Sequence, residues 1–151
     1  MKKLFLFVAV ATLAFSLNSC SSDGGGSSSI GTVTAKVDGV AKTFKVASVS
    51  EEVVDPGTAD EYTQLNFTGK IGTTETITFS FLKGVTGETA YGSGAFSYTK
   101  NGVYYFDSGT STFNVTTNSI ASKSLIGTFS GSYTDGTNQI IFTEGTFNIQ
   151  Y

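Results

Sequence analysis

From Gly31 onward, apolar and polar residues alternate along the chain with a period of two. Successive side chains of a β-strand point to opposite faces, so this alternation predicts strands with one buried and one solvated face. It is clearest in residues 76–81, where Ile77, Phe79 and Phe81 alternate with threonine and serine and are predicted to lie in the core. After residue 20, no stretch of useful length has the period of a helix.

Turn-forming residues divide this part of the chain into short segments. Asp38-Gly39 and Asn101-Gly102 each separate two alternating segments, and both dipeptides supply the positive φ angles of a two-residue hairpin turn. The only proline lies in the loop at Asp55-Pro56-Gly57. Gly145 interrupts the last segment, residues 139–151, and predicts a bulge or bend there.

These segments predict one all-β domain of about eight to ten strands over residues 31–151. Parallel strands need crossover connections of a dozen residues or more, which this chain lacks, so the strands are expected to be antiparallel. So many strands either pack in two layers or close on themselves. The predicted fold class is therefore a single antiparallel β-sandwich or flattened barrel, and the periodicity leaves the choice between the two open.

A different pattern precedes the domain. Residues 1–19 begin with Lys2 and Lys3, continue with an apolar run of about fourteen residues and end in small residues, which are the three zones of a secretory signal peptide. The apolar run is shorter than the roughly 20 residues that a spanning helix needs. Cys20, the only cysteine in the sequence, follows directly.

The motif Leu17-Asn18-Ser19-Cys20 resembles the lipobox of bacterial lipoproteins. The resemblance implies that residues 1–19 are cleaved and that Cys20 carries a diacylglyceryl group through a thioether, usually with a further acyl chain on the new amino terminus. More than one acyl chain gives stable anchoring, whereas a single chain is marginal. A membrane is thus the expected partner of Cys20.

Residues 20–30 connect Cys20 to the predicted domain and consist mainly of serine and glycine. Ten residues of this composition have an average reach of about 17 Å and a maximum of about 35 Å, so the domain is expected to stay near its membrane. Ser21 follows the cysteine, where an aspartate would indicate retention in the inner membrane. The expected location is the outer membrane, and the sequence leaves open whether the domain faces the periplasm or the cell surface.

Composition excludes several kinds of chemistry. The chain has no His, Trp or Arg, and residues 20–151 contain seven lysines and twelve acidic residues, which give a formal charge of −5. An acidic chain without arginine lacks the bidentate groups that bind phosphate, so no nucleic-acid partner is expected. Zinc sites of Cys and His are excluded, as are Ser-His-Asp and Cys-His catalysis. We predict no enzymatic activity, no cofactor and no metal site.

One tyrosine-rich segment provides the candidate ligand-binding residues. Tyrosine rings can stack on sugar faces while their hydroxyl groups form hydrogen bonds. If the segments around Asn101-Gly102 pair as a hairpin, Tyr98 is expected opposite Val103 or Tyr104. The alternative interpretation is that these tyrosines are ordinary half-buried strand residues. The four candidates are Tyr91, Tyr98, Tyr104 and Tyr105.

The main acidic cluster comprises Glu51, Glu52, Asp55, Asp60 and Glu61. Two carboxylates about 5–9 Å apart could hydrolyse a glycosidic bond. Glu51 and Glu52 are adjacent, however, and would point to opposite faces of a strand. The cluster is predicted to be a solvated loop surface, which makes a carboxylate-based glycosidase the third and weakest functional hypothesis.

Two hairpin sequences lie at the ends of the domain, residues 35–44 (AKVDGVAKTF) and Ile126-Gly127-Thr128-Phe129 with residues 140–147. They resemble the opening and closing hairpins of small Bacteroidota cell-envelope lipoproteins of unknown function. The resemblance implies an all-β domain, a location in the cell envelope and no established activity. Some proteins of this kind are described as similar to lipocalins.

Two functional hypotheses remain from the sequence. The first is a membrane-anchored, non-enzymatic lipoprotein whose domain binds a glycan or protein or has a structural role. The second is a lipocalin-like carrier of a small apolar ligand, which requires an internal cavity. Rings that pack against one another would leave no such cavity. Six phenylalanines are the candidates for its lining: Phe79, Phe81, Phe113, Phe129, Phe142 and Phe147.

Overall fold

The computed structural model describes residues 30–151, except for the side chains of residues 92–95. The predicted signal peptide, Cys20 and most of the connecting segment lie outside the described residues. The described part of the chain contains nine β-strands and no helix. The strands are β1 (Gly31–Val37), β2 (Val40–Val54), β3 (Tyr62–Ile71), β4 (Glu75–Leu82), β5 (Tyr91–Lys100), β6 (Val103–Asp107), β7 (Thr112–Ser119), β8 (Ser124–Thr134) and β9 (Gln139–Gln150).

Eight of these strands form a closed antiparallel barrel in the order β1-β2-β3-β4-β5-β6-β8-β9, with β9 returning to β1. The closure between β6 and β8 consists of two residue pairs, Phe106↔Thr134 and Asp107↔Tyr133. Strand β7 lies outside this circuit and pairs with β8. The all-β prediction is confirmed, and the barrel is the form that the chain adopts.

Both predicted two-residue hairpin turns are present. The φ angles are 49° at Asp38 and 80° at Gly39, and 52° at Asn101 and 83° at Gly102. Two successive positive φ angles define the turn whose twist matches that of paired strands. The local sequence therefore determines where these two hairpins form.

The register of the second hairpin differs from the expected one. The two-residue turn places Lys100 opposite Val103, so Tyr98 pairs with Tyr105 and not with Val103 or Tyr104. Residues that pair directly across antiparallel strands point to the same face. Tyr98 and Tyr105 consequently point into the barrel, and Tyr104 points out of it.

Aromatic rings fill the interior of the barrel. Phe79 is completely buried, and its ring centroid lies 4.9–6.2 Å from those of Phe67, Phe81, Phe96, Phe113, Phe129 and Phe147. Phe142 joins the cluster through Phe129, at 6.1 Å. The predicted core positions Ile77, Phe79 and Phe81 are confirmed, since each is 0% exposed.

Two inward-facing glycines provide space for these rings. A Cβ atom on Gly127 would overlap the ring of Phe147, and one on Gly145 would overlap the ring of Phe129. The predicted irregularity at Gly145 is confirmed, because the register between β1 and β9 shifts there and Glu144 has a positive φ of 52°. Glycine at these positions lets a large ring cross a neighbouring strand at close range.

Candidate functional site

Two aromatic side chains lie on the outer surface of β6. Tyr104 is 56% exposed and Phe106 is 47% exposed. Because they are two positions apart on one strand, they share a face, with Cα atoms about 6.6 Å apart. We call Tyr104 and Phe106 the β6 platform. Exposed apolar groups with a polar rim are typical of interaction sites.

Hydroxyl side chains flank the β6 platform. On β5, Thr99 pairs with Tyr104 and Ser97 pairs with Phe106. On β8, Thr134 pairs with Phe106. Two aromatic faces beside hydroxyl groups can contact an apolar surface and form hydrogen bonds at its edge.

The four candidate tyrosines do not form one surface. Tyr98 is 0% exposed and Tyr105 is 8% exposed, and their ring centroids lie 5.9 Å apart inside the barrel. Tyr91 is half exposed and packs against Phe113 at 5.2 Å. Of the four, only Tyr91 and Tyr104 can reach a partner in solution, since register directs the other two into the core.

Phe106 is the residue of the platform that sequence reasoning missed. A usable signal was its position two residues after Tyr104, because alternate residues of a strand share a face. The exposed side of β6 could be recognised only once Tyr105 was known to point inward.

A polar cluster of Lys42 on β2, Glu75 on β4 and Tyr98 on β5 lies at the end of the barrel that holds the turn between β5 and β6. Lys42 Nζ donates hydrogen bonds to both carboxylate oxygens of Glu75, each at 2.6 Å, and the Tyr98 hydroxyl donates to Glu75 Oε2 at 2.6 Å. The side chains of Lys42 and Glu75 are 16% and 15% exposed. The cluster thus covers this end of the aromatic core with a satisfied ion pair.

The pKa values of this cluster follow from the same contacts. Burial acts to raise the pKa of Glu75, but the hydrogen bonds from Lys42 and Tyr98 outweigh it and hold that pKa below its ordinary value. Burial, together with the hydrogen bond to Glu75, raises the pKa of Tyr98 well above its ordinary value. Tyr98 is therefore a neutral hydrogen-bond donor, and Glu75 is a charged hydrogen-bond acceptor. This arrangement indicates a structural role for the cluster.

Glu51 and Glu52 lie on strand β2, so the predicted loop location is wrong for these two residues. As neighbours on a strand they point to opposite faces. Glu51 Oε2 accepts a hydrogen bond from Lys83 Nζ at 2.6 Å, and Glu52 Oε2 accepts one from Asn66 Nδ2 at 3.1 Å. Asp55, Asp60 and Glu61 are exposed in or next to the loop between β2 and β3. Within residues 30–151, no three Asp, Glu, His or Cys side chains are grouped closely enough to hold a metal ion.

An open groove of about 420 Å³ crosses the outer face of β7, β8 and β9. It brings together Glu88 and Glu144, which are far apart in the sequence. Both of these side chains are exposed, and Glu144 Oε1 accepts a hydrogen bond from Lys36 Nζ at 2.6 Å.

No family model matches the chain, and comparisons with curated proteins and with solved structures also find no match. In the part of the chain that the structure describes, no helix has the length and apolar character needed to cross a membrane.

Proposed function

We propose that the protein is a lipid-anchored cell-envelope protein whose barrel is a non-enzymatic binding module. One observation carries this proposal: aromatic rings occupy the barrel interior, while Tyr104 and Phe106 stand on its outer surface. A partner would therefore bind to the outer surface of the barrel. A glycan or a protein of the envelope has the mixed apolar and polar surface that the β6 platform fits.

The position of the anchor supports this orientation. Cys20 precedes Ile30 by ten residues, and Ile30 lies at the end of the barrel where β1 begins. Strands β1, β3 and β5 run away from that end, so the turn at Asn101-Gly102 lies at the opposite end. Tyr104 follows that turn by two residues. An anchored chain would thus present the platform on the side away from its membrane.

The carrier hypothesis has weaker support. A closed eight-stranded barrel is an architecture that carriers of small apolar ligands also use, so the fold is compatible with a lipocalin-like function. The six rings expected to line a cavity instead contact one another, with centroid distances such as 5.0 Å between Phe79 and Phe129. A ligand would have to displace these rings to enter.

The anchor can be tested by replacing Cys20 with alanine. The wild-type chain is expected to incorporate a labelled fatty acid and to sediment with membranes. Cys20→Ala removes the thiol that forms the thioether, so it should lose the label and accumulate as the unprocessed precursor. Ser21→Ala is the matched control and should keep both properties. An unchanged membrane fraction and label in Cys20→Ala would contradict lipidation at this residue.

The platform can be tested by photo-crosslinking in living cells. Tyr104 replaced by p-benzoylphenylalanine is expected to give an adduct of higher mass on irradiation, because benzophenone inserts into C–H bonds of a partner in contact with the ring. The same substitution at Val53 is the control, since Val53 is 51% exposed but lies on the β2–β3 hairpin. Equal adducts at both positions, or none at Tyr104, would argue against the platform.

A further inference from the structure

Two lysines stand directly opposite each other on the outer surface of the barrel. Lys45 on β2 pairs with Lys70 on β3. Both are exposed, and the residues next to them in the chain, Phe44, Val46 and Gly69, are buried. Directly opposed residues have Cβ atoms about 4.5–5.5 Å apart, so the two ammonium groups share one patch of surface.

This arrangement is unfavourable in the isolated domain. Like charges directly opposite each other on a sheet are destabilising. Within residues 30–151, the three salt bridges use Lys36, Lys42 and Lys83, so neither Lys45 nor Lys70 takes part in one. The chain has a net charge of −3 and nine lysines. Two of these lysines thus lie side by side, and within residues 30–151 neither forms a salt bridge.

Threonines surround the lysine pair. Thr32 on β1 pairs with Lys45, and Thr76 on β4 pairs with Lys70, which gives one row across four strands. The row spans three interstrand spacings, about 14 Å. Thr43 and Thr68 lie two positions from the lysines along β2 and β3. All four of these neighbouring positions are threonines, and none is acidic or a large apolar residue. The patch is therefore basic and rich in hydroxyl groups.

We propose that this patch binds an anionic polysaccharide, meaning a sugar chain that carries carboxylate groups. The two ammonium groups would neutralise carboxylates, and the threonine hydroxyls would exchange hydrogen bonds with sugar hydroxyls. An open row of about 14 Å suits an extended chain better than a small ion, which needs enclosure. The positions directly beside the two lysines are threonines, which offer no large apolar side chain to an acidic peptide. We call Lys45, Lys70 and the four threonines the lysine row.

The lysine row and the β6 platform consist of different residues. They are neighbours on the barrel wall, because Thr76 of the row pairs with Thr99, and Thr99 pairs with Tyr104. The row needs neither the lipid at Cys20 nor a partner at Tyr104. Its failure would therefore leave the proposed function untouched, and the reverse also holds.

Titration of the full-length chain in detergent with polygalacturonate tests the proposal. We expect saturable binding that weakens at high salt, because added ions screen exposed charges, and no binding of neutral dextran. Lys45→Thr and Lys70→Thr should each lower the affinity roughly tenfold. Lys36→Thr is the matched control, since Lys36 is also an exposed strand lysine but is already paired with Glu144. Its affinity should equal that of the wild type.

Lys70→Glu separates ligand binding from folding. It converts the like-charge pair into an opposite-charge pair, so it should raise the denaturation midpoint of the protein while it abolishes polygalacturonate binding. A structural role for Lys70 predicts the opposite sign, with a lowered midpoint. A folded Lys70→Glu variant that still binds would overturn the proposal.

Three further outcomes would also overturn it. Equal binding of polygalacturonate and dextran would show that charge plays no part. Binding to phosphatidylglycerol vesicles without binding to polygalacturonate would assign the lysine row to a membrane surface. Unchanged affinity in Lys45→Thr and Lys70→Thr would place any polysaccharide site elsewhere on the molecule.

Discussion

Phe79→Ala is expected to lower the free energy of unfolding by roughly 3–5 kcal/mol. Phe79 is fully buried, and its ring contacts six others, including Phe96 at 4.9 Å and Phe67 at 5.0 Å. Removing it deletes buried apolar surface and leaves a cavity that the neighbouring rings can fill only in part. The loss is large against the roughly 5–15 kcal/mol by which a domain is stable. Urea denaturation measures it directly.

Phe106→Ala is the matched control for this experiment. It removes the same side chain from the outer surface, where Phe106 is 47% exposed, so a clearly smaller loss than that of Phe79→Ala is expected. Equal losses at Phe79 and Phe106 would contradict the packing described for the interior.

The Phe79 substitution also separates the binding-module and carrier hypotheses. A protein whose interior is filled should not bind a small apolar probe such as benzene. A protein in which a substitution has created a dry apolar cavity does bind such a probe. We expect binding by Phe79→Ala and none by the wild type. If Phe79→Ala does not fold, the smaller change Phe79→Leu keeps the comparison possible. Stoichiometric uptake by the wild type would favour the carrier.

Gly127→Ala is expected to lower the free energy of unfolding by roughly 2–3 kcal/mol, although it adds only one methyl group. That group would overlap both the ring of Phe147 and the backbone carbonyl oxygen of Asn114. The ring can rotate or shift, but the carbonyl belongs to β7, whose position is fixed by its pairing with β8. Thermal and urea denaturation should both show the loss.

Two variants test the cause of this effect. Thr128→Ala changes the exposed neighbour of Gly127 and should leave the stability nearly unchanged. Adding Phe147→Leu to Gly127→Ala should recover part of the loss if the ring overlap contributes, so the two changes should be non-additive. A neutral Gly127→Ala variant would mean that β7 moves freely relative to β8.

Local signals predicted much of the fold. Asp38-Gly39 and Asn101-Gly102 form hairpins because the φ angles that each turn needs are properties of the two residues themselves. Ile77, Phe79 and Phe81 were recognisable as core residues from alternation alone. The pairings of β1 with β9 and of β6 with β8 were not recognisable, because alternation carries no information about which distant strands become neighbours.

The surface sites depended on register, which the sequence specifies only near a tight turn. A shift of one residue moves every side chain of a strand to the other face. Grouping Tyr98 with Tyr104 by proximity therefore combined an inward residue with an outward one. Lys45 and Lys70 lie on β2 and β3, which are joined by the loop of residues 55–61 and not by a two-residue turn. The register also shifts between Val46 and Ser48, so the sequence separation of the two lysines did not predict that they pair.

The pairing of β1 with β9 also governs how the chain reaches its folded state. Six residue pairs join these strands, and they connect parts of the chain more than a hundred residues apart, as in Gly31 and Ile149. Proteins dominated by such distant pairings fold in milliseconds to seconds. Until β9 docks, one edge of β1 remains an unpaired strand that another chain can extend. Residues 139–150 thus protect the first strand from self-association as well as completing the barrel.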